Sequence, residues 1–353
     1  MNPLYRAREF CHNYDLEIPI LMAPMAGACP AELAAAISNA GGIGSCGALL
    51  MTPKKISSWV SDFKSKSNGS FMLNNWIPDP EPTRNAQHEA ALRSFVTKFG
   101  PEVPADAADS PPISFTQQCE AMLSTRPQVI SSIMGLYPSD FVKQMKQDGI
   151  KWFATVTSVS EALMAEQAGA DALVVQGAEA GGHRGNFFSG YDQSAGLVAL
   201  VSAVCDAVTI PVIATGGIAD SRGISAALML GASAVQIGTG FLRTPEASIA
   251  PAWAEAIQKT RPEDTIITKS FSGKPGRAIE NQYTKAAHDD SNPVPAPYPI
   301  QRSLTKEMRE QATKSNDIDY MQAWAGQAAA LAQAKTAQDL VTQIWSEAQE
   351  LFG

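Results

Sequence analysis

At 353 residues, 45% hydrophobic and 18% charged, the chain can bury a substantial core, either as two domains or as one large barrel with additions. A formal net charge of −8, with no run of Lys or Arg, argues against a general binder of nucleic acid or other polyanions. No stretch is long and apolar enough for a membrane span, and the first residues have no apolar core of a signal peptide, so a cytoplasmic location and no membrane partner are expected.

Eight candidate strands follow in order: residues 18–23, 42–45, 70–74, 129–133, 152–156, 171–176, 211–215 and 234–238. Helical patterns at 30–39, 53–64, 139–148, 160–168, 197–207 and 221–230 separate them. Glu166-Gln167-Ala168-Gly169-Ala170-Asp171-Ala172 and Leu228-Met229-Leu230-Gly231-Ala232-Ser233-Ala234 share one phrase, a helix stopped at Gly with a buried strand starting at once. That alternation predicts an α/β fold, a (β/α)8 TIM-like barrel, with a doubly wound sheet as the alternative.

The rhythm breaks twice. A Pro-rich, polar insertion at 76–127 follows the third strand, around one helical piece near 86–99. A second irregular stretch at 261–317 carries Pro293-Val294-Pro295-Ala296-Pro297-Tyr298-Pro299, and its aromatic and apolar content reads as a functional lid. The expected division is a barrel over 1–258 with that insertion, a lid over 259–319, and C-terminal helices over 320–353 that pack on the barrel.

Barrel ligands sit at the carboxyl ends of the strands, and phosphate often lies in the loops after strands seven and eight. Those loops are Ala214-Thr215-Gly216-Gly217-Ile218-Ala219 and Gln236-Ile237-Gly238-Thr239-Gly240-Phe241. Gly lets backbone N–H groups face an anion, and the helix that starts after the first loop favours negative charge, so a phosphate site is expected there. After the sixth strand, Gly177-Ala178-Glu179-Ala180-Gly181-Gly182-His183-Arg184-Gly185 combines close backbone approach with a histidine able to act as a base near neutral pH. Gly42-Ile43-Gly44-Ser45-Cys46-Gly47 matches a dinucleotide fingerprint but follows a helix rather than a strand, so it carries little weight. Five cysteines without a Cys-x-x-Cys pair and four scattered histidines suggest neither a disulfide framework nor a metal site.

These loops, with Pro19-Ile20-Leu21-Met22-Ala23-Pro24-Met25-Ala26-Gly27, Phe271-Ser272-Gly273-Lys274-Pro275 and Trp324-Ala325-Gly326-Gln327, resemble the nitronate monooxygenases, formerly 2-nitropropane dioxygenases, which are FMN enzymes on a barrel. The resemblance spans nearly the whole chain. It implies FMN contacts at Met22, Ala23, Pro24, Asn74, Gln176, Gly181, Gly217, Gln236, Ile237, Gly238 and Thr239, with Gly216 beside them in the phosphate loop, and a catalytic base at His183. Tyr298 and Lys274, both in the lid, are expected substrate contacts. The implied activity is oxidation of alkyl nitronates by O₂ to carbonyl compounds and nitrite. An NAD(P)H-dependent FMN reductase of enoyl thioesters or quinones is the first alternative, and a non-catalytic flavin- or phosphate-binding barrel the second. One departure stands out: family members often carry His in a Ser-Phe-His-Phe-Gly phrase of the fourth strand. This chain has Ser131-Ser132-Ile133-Met134-Gly135, and Ile133 cannot donate a hydrogen bond to an anionic nitronate.

Overall fold

The computed structural model describes residues 2–109, 111–188 and 194–353. Eleven strands are labelled in chain order: β1 (Ile20–Met22), β2 (Gly44–Gly47), β3 (Phe71–Trp76), β4 (Val129–Ile133), β5 (Lys151–Val156), β6 (Ala172–Gln176), β7 (Gly182–His183), β8 (Val212–Thr215), β9 (Ala234–Ile237), β10 (Thr265–Thr268) and β11 (Gly276–Ile279). Eight of them pair in parallel in the order β1-β9-β8-β6-β5-β4-β3-β2. A parallel bridge between Leu21 and Ile43 joins the two ends, and Met22 N donates to Ile43 O at 2.9 Å. This is the expected (β/α)8 barrel, and every strand ends close to its predicted place. Expected strands seven and eight are β8 and β9.

Successive strand residues point to opposite faces, so each barrel strand divides into an inward and an outward set. Leu21, Met72, Val129, Phe153, Val174, Ile213 and Ala234 form the inward layer, closed off below by Phe10 of the helix Pro3–Asn13 and by Tyr14, its C-cap. The Tyr14 hydroxyl donates to Asp171 O at 2.8 Å, which ties that plug to the barrel. Ile20, Met22, Leu73, Ile130, Ala154, Leu173, Val175, Val235 and Ile237 are the outward set and pack under the helices. Among the described residues no helix is long and apolar enough to cross a membrane.

The two irregular stretches fold together. Leu92, Phe95 and Val96 of the helix Ala86–Val96 share one hydrophobic cluster with Phe271, Tyr283, Ile300, Leu304 and Met308. The stretch read as an irregular lid contains the β10–β11 hairpin and helices Gln282–Ala287, Ile300–Leu304 and Lys306–Lys314. Its apolar residues find their partners in the distant insertion, which local periodicity does not reveal. The chain after 320 also differs from expectation, since only Ala337–Glu350 forms a long helix. Residues 321–328 run irregularly because their backbone is claimed elsewhere: Trp324 bridges Ala278, and Gln327 N donates to Glu179 O at 2.9 Å. Such long-range bonds override the helix propensity of an Ala- and Gln-rich stretch.

Candidate active site

The next inward residues up the strands include Ala23, Asn74, Thr155, Gln176, Thr215 and Gln236. Together with Ile133 and Trp76, which pair one layer higher, they line a cavity of about 540 Å³ at the carboxyl end of the barrel. The size suits a cofactor-sized ligand. Polar residues replace apolar ones at this level, and each has a definable task. Asn74 Nδ2 donates to Ser131 Oγ at 2.9 Å, while Thr215 Oγ1 donates to Gln236 O at 2.9 Å. Gln236 is 7% exposed, and its Oε1 has no hydrogen-bond partner. A buried amide oxygen left unpaired is costly, so a donor from a ligand is the natural completion. Gln176 is used differently: its Nε2 donates to His183 O at 3.0 Å, and its Oε1 accepts from Gly185 N at 2.9 Å. It braces the histidine loop from both sides.

At the ends of β8 and β9 the chain turns through Gly216 and Gly217, both with positive φ, and then Gly238 and Thr239. The N–H groups of Gly217 and Ile218 meet no acceptor among the described residues. Thr239 Oγ1 accepts from Gly326 N at 3.0 Å, which leaves its own proton to donate. The helix Ser221–Met229 does not contribute as expected, because Asp220 caps it by accepting from Arg222 N and Gly223 N. A carboxylate already occupies that terminus, so those two N–H groups are not open to an anion. Gly181 closes the wall: a Cβ there would lie 2.5 Å from Gly326 N.

His183 lies on β7, which pairs with β11 through Gly276 and so joins barrel to cap. Its Nε2 is 2.7 Å from Ser272 Oγ, and its ring meets Trp76 and Trp324 edge-on at centroid distances of 4.7 and 4.8 Å. Tyr298 tilts against Trp76 at 5.3 Å. Burial, followed by the charges of Arg302, Lys274 and Arg309, pushes the His183 pKa down to about 3. The imidazole is therefore neutral at neutral pH. An unfolded histidine takes a proton near pH 6.5, so this contribution to stability is full above that value and falls away as pH drops toward 3. The expected loss is about 1.4 kcal/mol per pH unit. In urea unfolding between pH 7 and 4, His183→Asn should show a shallower loss of stability than the parent. Parallel curves would mean the native imidazole titrates normally.

Of the residues singled out in the sequence, Ala23, Pro24, Asn74, Gln176, Gly181, His183, Gly216, Gly217, Gln236, Gly238, Thr239 and Tyr298 line this one cavity. Three do not. Met22 and Ile237 belong to the outward set, so their side chains are sealed against helices. Lys274 is taken up by the insertion, with Nζ 2.7 Å from Asp79 Oδ2. The sequence reading missed Trp76, Trp324, Ser272 and Arg302. Ser272 and Trp324 stand in segments that carry the family resemblance, and Trp76 lies two residues beyond Asn74 and so on the same face; Arg302 carried no signal. Among the described residues no three His, Cys, Asp or Glu side chains gather as a metal site.

Fold and site define a (β/α)8 barrel with a capped cavity at the carboxyl ends of its strands and glycine-containing turns after the last two strands. The nitronate monooxygenase family model matches residues 11–347. A probable nitronate monooxygenase of Staphylococcus aureus strain MSSA476 is 33% identical over 357 residues, covering 99% of each chain. The crystal structure of a nitroalkane oxidase from Streptomyces ansochromogenes superposes with a TM-score of 0.87 at 28% identity, over 97% of this chain and 100% of that one. FabK from Thermotoga maritima gives 0.76 at 28% identity, over 97% and 96%. The chain belongs to the nitronate monooxygenase family, a family of flavin-dependent oxidoreductases.

Proposed function

We propose that the protein binds FMN and oxidises alkyl nitronates with O₂ to carbonyl compounds and nitrite. Support for the cofactor comes from the unpaired Gln236 Oε1 and the bare N–H groups of Gly217 and Ile218. An isoalloxazine edge has both donors and acceptors to offer, and a terminal phosphate takes backbone N–H groups. Asn74 and Gln236 would hold the ring edge, and the turns at 216–217 and 238–239 the phosphate. Ala23 and Pro24 would wall one side of the ring. When bound, FMN supplies the redox chemistry: it accepts electrons from the substrate and passes them to oxygen.

One observation carries the substrate class: the site histidine is held neutral beneath a cap whose arginines face the same cavity. A site so arranged favours a substrate that arrives as an anion. A preformed nitronate needs no proton removed, so His183 serves as a hydrogen-bonding contact rather than a base, and Trp76, Trp324 and Tyr298 keep water from the reacting carbon. Chain placement of the contact is firm, because Gln176 and Ser272 hold the His183 backbone and ring separately.

A nicotinamide-dependent FMN reductase is the alternative outcome of one experiment. Acid should release FMN from the purified protein. Mixed without oxygen, the flavin should be bleached rapidly by an alkyl nitronate and not at a useful rate by NADH or NADPH. Fast bleaching by either nicotinamide, with none by nitronate, would establish the reductase instead.

A further inference from the structure

The cap places two arginines on the cavity, and they are not equivalent. Arg309 spends its donors on the cap itself: Nε donates to Thr305 Oγ1 at 3.1 Å, Nη1 to Gln322 Oε1 at 3.2 Å and Nη2 to Arg302 O at 2.8 Å. It therefore fixes the backbone of its neighbour. Arg302 lines the same cavity, and its guanidinium makes no hydrogen bond or ion pair among the described residues. Glu310 lines the same cavity and supports the charged form of both arginines, but it forms no ion pair with Arg302 among the described residues. Lys274 is matched by Asp79, while Glu310 is half exposed and shares its charge with Lys306 at 3.9 Å. A sheltered cation without a hydrogen-bonded carboxylate partner is costly to keep. Its five donors in a planar fork match a planar oxyanion.

On the barrel side, the fourth strand presents Ile133 to that cavity, a side chain with nothing to donate. Ile133 packs into the wall, since a Cβ added at Gly185 would meet its Cγ1 at 3.1 Å. The barrel thus offers an apolar surface where an anion would otherwise find a donor, and the free donors come from above. We infer that Arg302 is the residue that receives the two nitro oxygens of the bound nitronate, replacing from the cap the donor that the fourth strand lacks at Ile133. This inference rests on the nitronate reading proposed above. It makes Arg302 a determinant of specificity for planar oxyanions, with the cluster around Ile300 and Leu304 setting its position.

Nitrate is the probe, because it is planar, carries the same paired oxygens and is not oxidised. Calorimetric titration of the flavin-loaded protein with sodium nitrate should give a measurable dissociation constant. Arg302→Met should raise it about 10- to 100-fold, the range for losing a charge-assisted pair of hydrogen bonds. Arg302→Lys, which keeps the charge and loses the fork, should fall between. Flavin content reports whether each variant is folded; if the Met variant loses flavin, Arg302→Gln takes its place. In turnover, the Met variant should raise KM for nitronate far more than it lowers kcat. Nitrate binding within twofold of wild type in the neutral variants would overturn the inference, as would no nitrate binding by the wild type. The nitronate reading fails separately: a wild-type enzyme that binds nitrate through Arg302 but does not oxidise nitronate keeps the anion contact and loses the proposed reaction.

Discussion

Gly217→Asp should raise the dissociation constant for FMN about ten-thousandfold. Gly217 turns the chain at φ 68° between β8 and the next helix, and its N–H is one of the two left bare in the turn. A carboxylate there would face the phosphate at close range. Two such charges about 4 Å apart repel by roughly 4 kcal/mol at an effective dielectric near 20, which is three powers of ten in affinity. Strain has to be separated from charge. A Cβ at Gly217 would lie 3.1 Å from Glu179 Cβ, and the left-handed backbone costs a side chain about 1–2 kcal/mol. Gly217→Ala carries both of those burdens without the charge, so it should lose only about tenfold. Fluorescence titration of the flavin-free proteins with FMN measures all three constants, and circular dichroism verifies the fold. Equal losses for Asp and Ala would place the phosphate away from this turn.

The contrast between those variants also shows which parts of the site can be read from sequence. The barrel is legible because a parallel strand covered on both faces must be apolar, as Ala172-Leu173-Val174-Val175 is, and a helix must stop before it. The polar ring is legible for the same reason in reverse. Asn74, Gln176, Thr215 and Gln236 interrupt apolar runs at the carboxyl end of a strand, where a barrel opens. Met22 and Ile237 flank the motif residues, and the period of two points their side chains outward, so only their backbone could face the site. The helix terminus after Gly217 was misjudged although Asp220 is a strong capping residue and was visible in the sequence.

Other features had no local signal. Phe95 and Leu304 pack in one cluster across more than half the chain, so neither segment shows why it is ordered. Trp324 is placed beside His183 by a bridge to Ala278, within a stretch whose composition favours helix. Arg302 looks like any charge on a short helix until the cap is closed over the barrel. What the cap supplies to the site are mostly side chains whose role depends on a partner distant in sequence.

His183→Asn should reduce oxidation of a preformed nitronate about 10- to 100-fold, and the wild-type enzyme should handle the neutral nitroalkane worse than its nitronate by about 10² to 10⁴. The sequence suggested a base matched to neutral pH, but the structure gives the imidazole a pKa near 3, chiefly through burial between Trp76 and Trp324. A well-matched base typically supplies about 10² to 10⁴ in rate, and so weak a base forfeits most of that factor. What remains is a hydrogen bond to a charged ligand, worth about 1.5–3 kcal/mol, which sets the loss expected for the variant on nitronate. The ratio of the two substrates should therefore change little when His183 is replaced. Initial rates with a nitroalkane and its nitronate, on flavin-loaded wild type and variant, decide the matter. A variant that keeps nitronate oxidation and loses 10² to 10⁴ on the nitroalkane would restore His183 as a base. That result would mean the bound substrate lifts the imidazole far above its value in the free protein. Unchanged rates on both substrates would leave the ring as packing between two tryptophans, with Ser272 its only polar partner among the described residues.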